Sequence, residues 1–340
     1  MKFLLMLTLS IAAIASNTEA RAERAALRAD APDESAPALI IPAETHLFAH
    51  RDTCDLYLDI YEPAKGSETT FQGIQKPVLV FVYGGGFIIG NRREVWYHPW
   101  LKQLIDAGYK VVAIDYRLGL KGVDMRFDPI HIFESSRLTK KAVDMGVEDV
   151  FSAVKFLVDE RGFDPSNFVV MGNSAGAMIS LSAEWEACNA DSGADGKIPG
   201  GLAEGLPNGF HFKGVMSFAG AIMTLSGKPK YKITPAPQLL VHGDRDGAVT
   251  FKKVALGKYG LYGSSSLVKD IFAKKGYVYH FYRYAGHSHD MAGNMEYMMQ
   301  EQFRFLEEEV MLRRGRCIDI TVNDPEMHVG QEINVKNIYN

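Results

Sequence analysis

Phe168-Val169-Val170-Met171-Gly172-Asn173-Ser174-Ala175-Gly176-Ala177-Met178-Ile179-Ser180 is the stretch whose reading decides the fold. Residues 168–171 form a short apolar run of the kind found in a buried strand, and a helical periodicity occupies 174–186. Between them a serine is hemmed in by small residues. A sharp strand-to-helix turn needs that pattern, and it lifts a strained serine hydroxyl out of the sheet. A tight turn with an N-capping serine would produce the same five residues, so the string alone is weak. The strand before it and the helix after it favour a nucleophile.

Outward from this turn the chain alternates two patterns. Apolar runs occupy 56–60, 78–83, 111–116, 168–172, 214–218, 238–242 and 277–282, and helical periodicities occupy 100–107, 147–161 and 174–186. Short apolar runs alternating with helices predict a mostly parallel sheet buried on both faces, hence an α/β fold. The first runs have no helix between them, which predicts an antiparallel edge. Segments 118–144 and 189–210, rich in charges or in Gly and Asp, break the alternation and read as cap insertions that shape a substrate site.

About ninety residues before the serine lies Tyr83-Gly84-Gly85-Gly86-Phe87, at the end of the run 78–82. Three glycines remove every Cβ, so backbone N–H groups can approach a ligand oxygen closely. Joined by the N–H after the nucleophile, such donors would hold the anionic oxygen of a tetrahedral intermediate. A nucleophilic serine also needs a base, and the base an orienting carboxylate. In a parallel sheet the order is nucleophile, acid, histidine. Residues 239–246 run from a strand into a turn carrying Asp244 and Asp246, and 281–289 run from a strand into a turn carrying His287 and His289. Each lies past a strand's C-terminal end, the edge where open α/β sheets bind ligands. His242 reads as a packed or hydrogen-bonded structural histidine.

Composition sets the outer limits. The 340 residues carry 37 basic and 41 acidic side chains, a net charge of -4, and 47% hydrophobic residues. Binding nucleic acid through bulk positive charge is excluded, and intrinsic disorder is disfavoured. Lys2 followed by the apolar stretch 3–14, with small residues at Ala13-Ile14-Ala15 and Thr18-Glu19-Ala20, reads as a signal peptide over 1–20. Residues 21–42 read as a flexible linker, 43–315 as the folded domain and 316–340 as a C-terminal tail without an evident role. No later stretch reaches the roughly 18 apolar residues of a membrane helix. The protein is therefore expected to be exported, periplasmic or secreted, without stable membrane insertion. Cys54, Cys188 and Cys317 form no CxxC and no Cys/His cluster, so no structural metal is expected.

Taken together, Tyr83 to Phe87, Asp115-Tyr116-Arg117, Asp164-Pro165-Ser166-Asn167, Gly172 to Gly176, His242-Gly243-x-x-Asp246 and Gly286-His287 resemble the α/β-hydrolase serine esterases. The closest parallels are the carboxylesterase/lipase group and bacterial carbohydrate-ester and feruloyl esterases. The likeness covers roughly 56–312. It implies an α/β-hydrolase fold, with helices on both faces of a mostly parallel sheet. It also implies a catalytic triad of Ser174, Asp246 and His287, with the base taken as the histidine that follows Gly286, and an oxyanion hole of Gly85, Gly86 and Ala175. Tyr83 stands where many relatives have histidine, and Gly247 where proline is frequent.

The activity so implied is hydrolysis of a carboxylic ester through an acyl-enzyme, without metal or organic cofactor. The substrate would be a small-molecule or carbohydrate-linked ester with a short-chain or aromatic acyl group, acetyl or feruloyl in type. Tyr83, Phe87, Trp96, Phe127, Phe133 and Trp185 are candidate pocket residues. A histidine base must be neutral, so activity is expected to fall below about pH 6–7. A serine peptidase or acyl-peptide hydrolase uses the same triad, and a silent hydrolase-fold binding protein would normally have lost one member of it.

Overall fold

In the computed structural model the described residues are 39–225, 227–256, 259–327, 329–330 and 338. The predicted leader, 1–20, and the linker up to residue 38 lie outside them. The chain divides into two units, Met1–Leu39 and Ile40–Asn340, and the described fold belongs to the second.

Among the described residues fourteen strands and three long helices follow in order: β1 (Glu44–Arg51), β2 (Cys54–Tyr61), the small hairpin β3 (Thr70–Phe71) and β4 (Ile74–Gln75), β5 (Val78–Val82), α1 (His98–Asp106), β6 (Val111–Ile114), α2 (Ile132–Asp159), β7 (Phe168–Asn173), α3 (Ala175–Asn189), β8 (Gly214–Phe218), β9 (Ala221–Thr224), β10 (Gln238–Gly243), β11 (Lys253–Leu256), β12 (Tyr259–Gly263), β13 (Tyr279–Tyr284) and β14 (Ile318–Val322). Helical segments 264–275 and 299–311 flank β13 in the sequence.

The main sheet has the order β1-β2-β6-β5-β7-β8-β10-β13-β14. From β6 to β14 every neighbouring pair is parallel, and β1 and β2 add the antiparallel edge. Leu79–Val82, Val111–Ile114 and Phe168–Met171 are sealed from solvent, as continuous apolar runs in a doubly covered sheet must be. Helices α2 and α3 pack together on one face. On the other face Trp100 of α1 lies against Phe81 and Phe218 and donates its indole N–H to Gln302 of segment 299–311.

Strand β5 leads leftward in the sheet to β6, whereas β7 and its successors build rightward. The order therefore reverses at β5 and β7, and the crevice at their C-terminal ends is where open α/β sheets take ligands. The glycine loop follows β5 and Ser174 follows β7.

Three expectations change. Segment 118–144 is an insertion only in its first half, because residues from Ile132 onward already belong to α2. The charges of its second half form pairs along α2, Glu134 with Arg137 and Lys140 with Asp144, at the spacings that face each other on a helix. Segment 189–210 lies away from Ser174, since α3 carries the chain from the serine to the opposite sheet edge. There Phe210 packs on Phe151 near the end of α2, and residues 207–210 line a cleft of about 470 Å³ with Pro165 and Ser166, which precede β7. The tail is not an appendage throughout. Its residues 318–322 are the ninth strand of the main sheet, parallel to β13.

Candidate active site

Ser174 is the hinge between β7 and α3, with φ 52° and ψ -121°. A non-glycine residue pays about 1–3 kcal/mol for such a conformation, and it persists only where surrounding structure enforces it. The enforcement is visible at Gly176. A Cβ there would stand 2.0 Å from the carbonyl oxygen of Val82, so only glycine lets α3 start this close to β5. Ala175 is the first residue of α3, and its N–H has no acceptor within the helix.

The serine hydroxyl meets His289. Ser174 Oγ lies 2.7 Å from His289 Nε2, and His289 Nδ1 lies 2.7 Å from Asp246 Oδ2. An ionised carboxylate only accepts, so Nδ1 carries the hydrogen and Nε2 offers its lone pair to the serine O–H. Asp246 sits in the turn after β10 and its carboxylate is inaccessible to solvent. Its Oδ1 accepts the N–H groups of Ala248 and Val249, both at 2.9 Å. Its Oδ2 is shared by His289 and by His242 Nε2 at 3.1 Å. Burial pushes the Asp246 carboxyl up, but the hydrogen bonds from His242 and His289 outweigh it and hold it well below the usual carboxylate range.

The expected base, His287, is not brought to Ser174. Its Nδ1 is 2.7 Å from Asp290 Oδ2, its ring is 2% exposed and edge-on to Tyr284, and its carbonyl accepts the N–H of Arg245. Asp290 also accepts the N–H groups of Ser288 (2.8 Å) and Gly330 (3.3 Å). Its burial raises the carboxyl pKa, and the His287 hydrogen bond with those N–H groups brings it below the ordinary value. The local carboxylate thus takes the first histidine as a brace, and His289, opening the next turn, is left to face the serine. Of the two aspartates, Asp246 reaches a histidine of the turn, whereas Asp244 accepts the Gly286 N–H at 2.9 Å and shapes that turn.

The glycine loop is tied to the serine turn through Tyr97. Its hydroxyl accepts the Gly84 N–H at 3.1 Å and donates to Asn173 Oδ1 at 3.3 Å, while Asn173 Nδ2 donates to the Ala292 carbonyl at 2.8 Å. Asn173 fills the second position of the Gly-x-Ser-x-Gly string and, through Tyr97, cross-links the glycine loop to the histidine turn, a role that the string itself does not advertise. Gly85 holds φ 124°, and a Cβ on it would strike the Ile89 carbonyl oxygen at 2.0 Å. Gly85, Gly86 and Ala175 thus come from the two turns that flank the crevice at β5 and β7.

The candidate pocket residues separate. Tyr83 is buried against Tyr116, with ring centres 4.5 Å apart, and Phe87 is buried beside the same ring, so both are core packing. Trp185 lies near the far end of α3, where its indole N–H donates to the Lys230 carbonyl, roughly 16 Å along the helix axis from Ser174. Phe127 is half-buried. Trp96 and Phe133 remain 46% and 53% exposed, Trp96 in a single helical turn, Val95–Tyr97, just before α1 and Phe133 in the first turn of α2. Among the described residues no cluster of three or more His, Cys, Asp or Glu could hold a metal ion, and no helix is long and apolar enough to cross a membrane.

Residues 27–183 match the model of the carboxylesterase family. A non-reducing polyketide synthase, ausA of Emericella nidulans, is 37% identical over 78 residues, which is 23% of this chain and 3% of that protein. Lipase 1 of Geotrichum candidum is 28% identical over 148 residues, 42% of this chain and 24% of the lipase. The chain thus spans well under two thirds of the length of these curated relatives. Among solved structures, apo esterase 2 of Thermogutta terrifontis superposes with a TM-score of 0.53 at 19% identity, covering 81% of this chain and 98% of that one. The chain therefore has the α/β-hydrolase fold, with a carboxylesterase-family match over residues 27–183, just under half its length.

Proposed function

We propose that this chain is a serine carboxylic-ester hydrolase working through an acyl-enzyme. The observation that carries the reading is the continuous line from Ser174 Oγ through His289 to Asp246, with 2.7 Å at both contacts. Ser174 Oγ attacks the ester carbonyl as His289 Nε2 takes its proton, and Asp246 stabilises the imidazolium. The carbonyl electron pair moves onto oxygen, held by the N–H groups of Gly85, Gly86 and Ala175, each worth about 3 kcal/mol of barrier. Collapse expels the alcohol with the proton returned by His289. Water then attacks the acyl-serine with His289 as base again, and the carboxylic acid leaves.

For the substrate we favour short-chain or aromatic esters, acetyl or feruloyl in type, free or carbohydrate-linked. The exposed ring of Trp96, packed on Tyr97 beside the glycine loop, supports an aromatic or compact acyl group. Residues 1–20 support export, through their charge-then-apolar-then-small order.

Turnover of p-nitrophenyl acetate by the Ser174→Ala variant tests the reading. A fall in kcat/KM on the order of 10⁴-fold or more is expected, and near wild-type turnover overturns it. Comparing kcat/KM across acetyl, butyryl, feruloyl and long-chain esters then places the acyl preference.

A further inference from the structure

His242, the penultimate residue of β10, has no exposure to solvent, and both ring nitrogens are engaged. Its Nε2 lies 3.1 Å from Asp246 Oδ2 and 3.1 Å from the Val249 carbonyl oxygen, and its Nδ1 lies 2.9 Å from Ser264 Oγ. Carbonyl and carboxylate only accept, so Nε2 must carry a hydrogen, and in the neutral ring Nδ1 accepts from the Ser264 hydroxyl. Phe251 packs edge-on against the ring. The imidazole is thereby fixed from three directions, and its N–H is aimed at the carboxylate oxygen that His289 uses.

We propose that His242 is a positioning residue: by sharing Asp246 Oδ2 with His289 it fixes the carboxylate and limits the negative charge that His289 feels. The proposal rests on the triad reading above. A donated hydrogen bond draws electron density from the acceptor oxygen, so Asp246 holds the imidazolium of His289 less tightly than it otherwise would. Among the described residues, Asp246 lies between the two histidines, Ser174 faces His289, Ser264 and the Val249 carbonyl face His242, and Asp290 is turned to His287.

Three variants separate this role from packing. His242→Phe keeps the ring volume and the Phe251 contact but has no N–H; His242→Gln carries an amide N–H of matching reach; His242→Asn carries one too short to reach Asp246. The readouts are kcat/KM against pH and the pH dependence of Ser174 labelling by a fluorophosphonate. For Phe, a loss of about 10–100-fold is expected, the range for one hydrogen bond to a charged group. Its acid limb should move to higher pH, as Asp246 regains full charge. Gln should retain most of the rate and the wild-type limb, with Asn resembling Phe. Should Phe fail to fold, the contrast of Gln with Asn carries the test. Phe with the wild-type rate and limb overturns the proposal, as does Gln behaving like Asn. Wild-type protein that the fluorophosphonate does not label at all would instead overturn the triad reading itself.

Discussion

At the scale of single residues the choice between two histidines decides the chemistry. His287 and His289 are two positions apart, and the family pattern of a histidine after glycine selects the first. Geometry selects the second, because Asp290 lies three residues after His287 and captures its Nδ1. The nearby acidic residue was visible in the sequence, but which histidine it would hold depends on the turn after Gly286 and on Arg245 reaching the His287 carbonyl. His289→Asn is expected to lower kcat/KM for p-nitrophenyl acetate on the order of 10³–10⁴-fold or more while leaving the fold intact. His287→Asn keeps a group able to pair with Asp290 and should cost about tenfold or less. Hydrolysis rates with circular dichroism on both variants check this, and the reverse ranking would restore His287 as the base. Ser174, by contrast, was legible early, because strand, small residues and helix adjoin in sequence and demand one local geometry.

At the scale of elements, the parallel strands were readable because burial on both faces writes itself as unbroken apolar runs. Run 214–218 coincides with β8, whereas 277–282 begins two residues before β13 and stops two short of its end. The three-stranded sheet of β11, β12 and β9 left no comparable signature, since its strands are short and β9 pairs with a strand about 35 residues further along the chain. Strand β14 escaped for a related reason. Its residues Ile318-Asp319-Ile320-Thr321-Val322 do alternate, but the run is short and its middle three residues are exposed, so beyond Ile318 and Val322, which pack on the core, its place in the sheet rests on backbone pairing with β13. That pairing bears on the site: the Ala285 N–H, just before the histidine turn, donates to the Val322 carbonyl at 2.9 Å, and Gly330 donates to Asp290. A chain ending at residue 315 is therefore expected to fold with a lower melting temperature and with kcat/KM reduced several-fold to about tenfold. Thermal melting and ester hydrolysis against the full-length protein test this, and a truncated chain equal in both would reduce β14 to an ornament of the sheet edge.

At the scale of the whole molecule, the buried carboxyls set how stability responds to pH, and they pull in opposite directions. Desolvation raises the carboxyls of Asp59, Asp246 and Asp290, but hydrogen bonds, from Arg93, from His242 and His289, and from His287 in turn, bring all three below the ordinary aspartate value. Glu184 goes the other way: full burial pushes its carboxyl up, even though it accepts the N–H groups of Ala236 and Phe212. A carboxyl depressed in the folded state binds its proton more readily when unfolded, so it stabilises the fold above the unfolded value and loses that contribution as pH falls toward the folded one. A raised carboxyl binds its proton more readily when folded, so the fold gains as pH drops through that group's elevated value down to the unfolded one. Stability is thus expected to fall once pH drops below about 4, and in mildly acidic solution His98 and His280, which burial holds below the ordinary histidine value, oppose the gain from Glu184. Melting temperatures measured from pH 3 to pH 8 give the curve. Asp246→Asn removes one depressed group, and its acid fall should be shallower than that of the wild type. A variant curve parallel to the wild type below pH 4 would mean that Asp246 takes up its proton equally in both states, contrary to the buried, twice-bonded carboxylate that faces the two histidines.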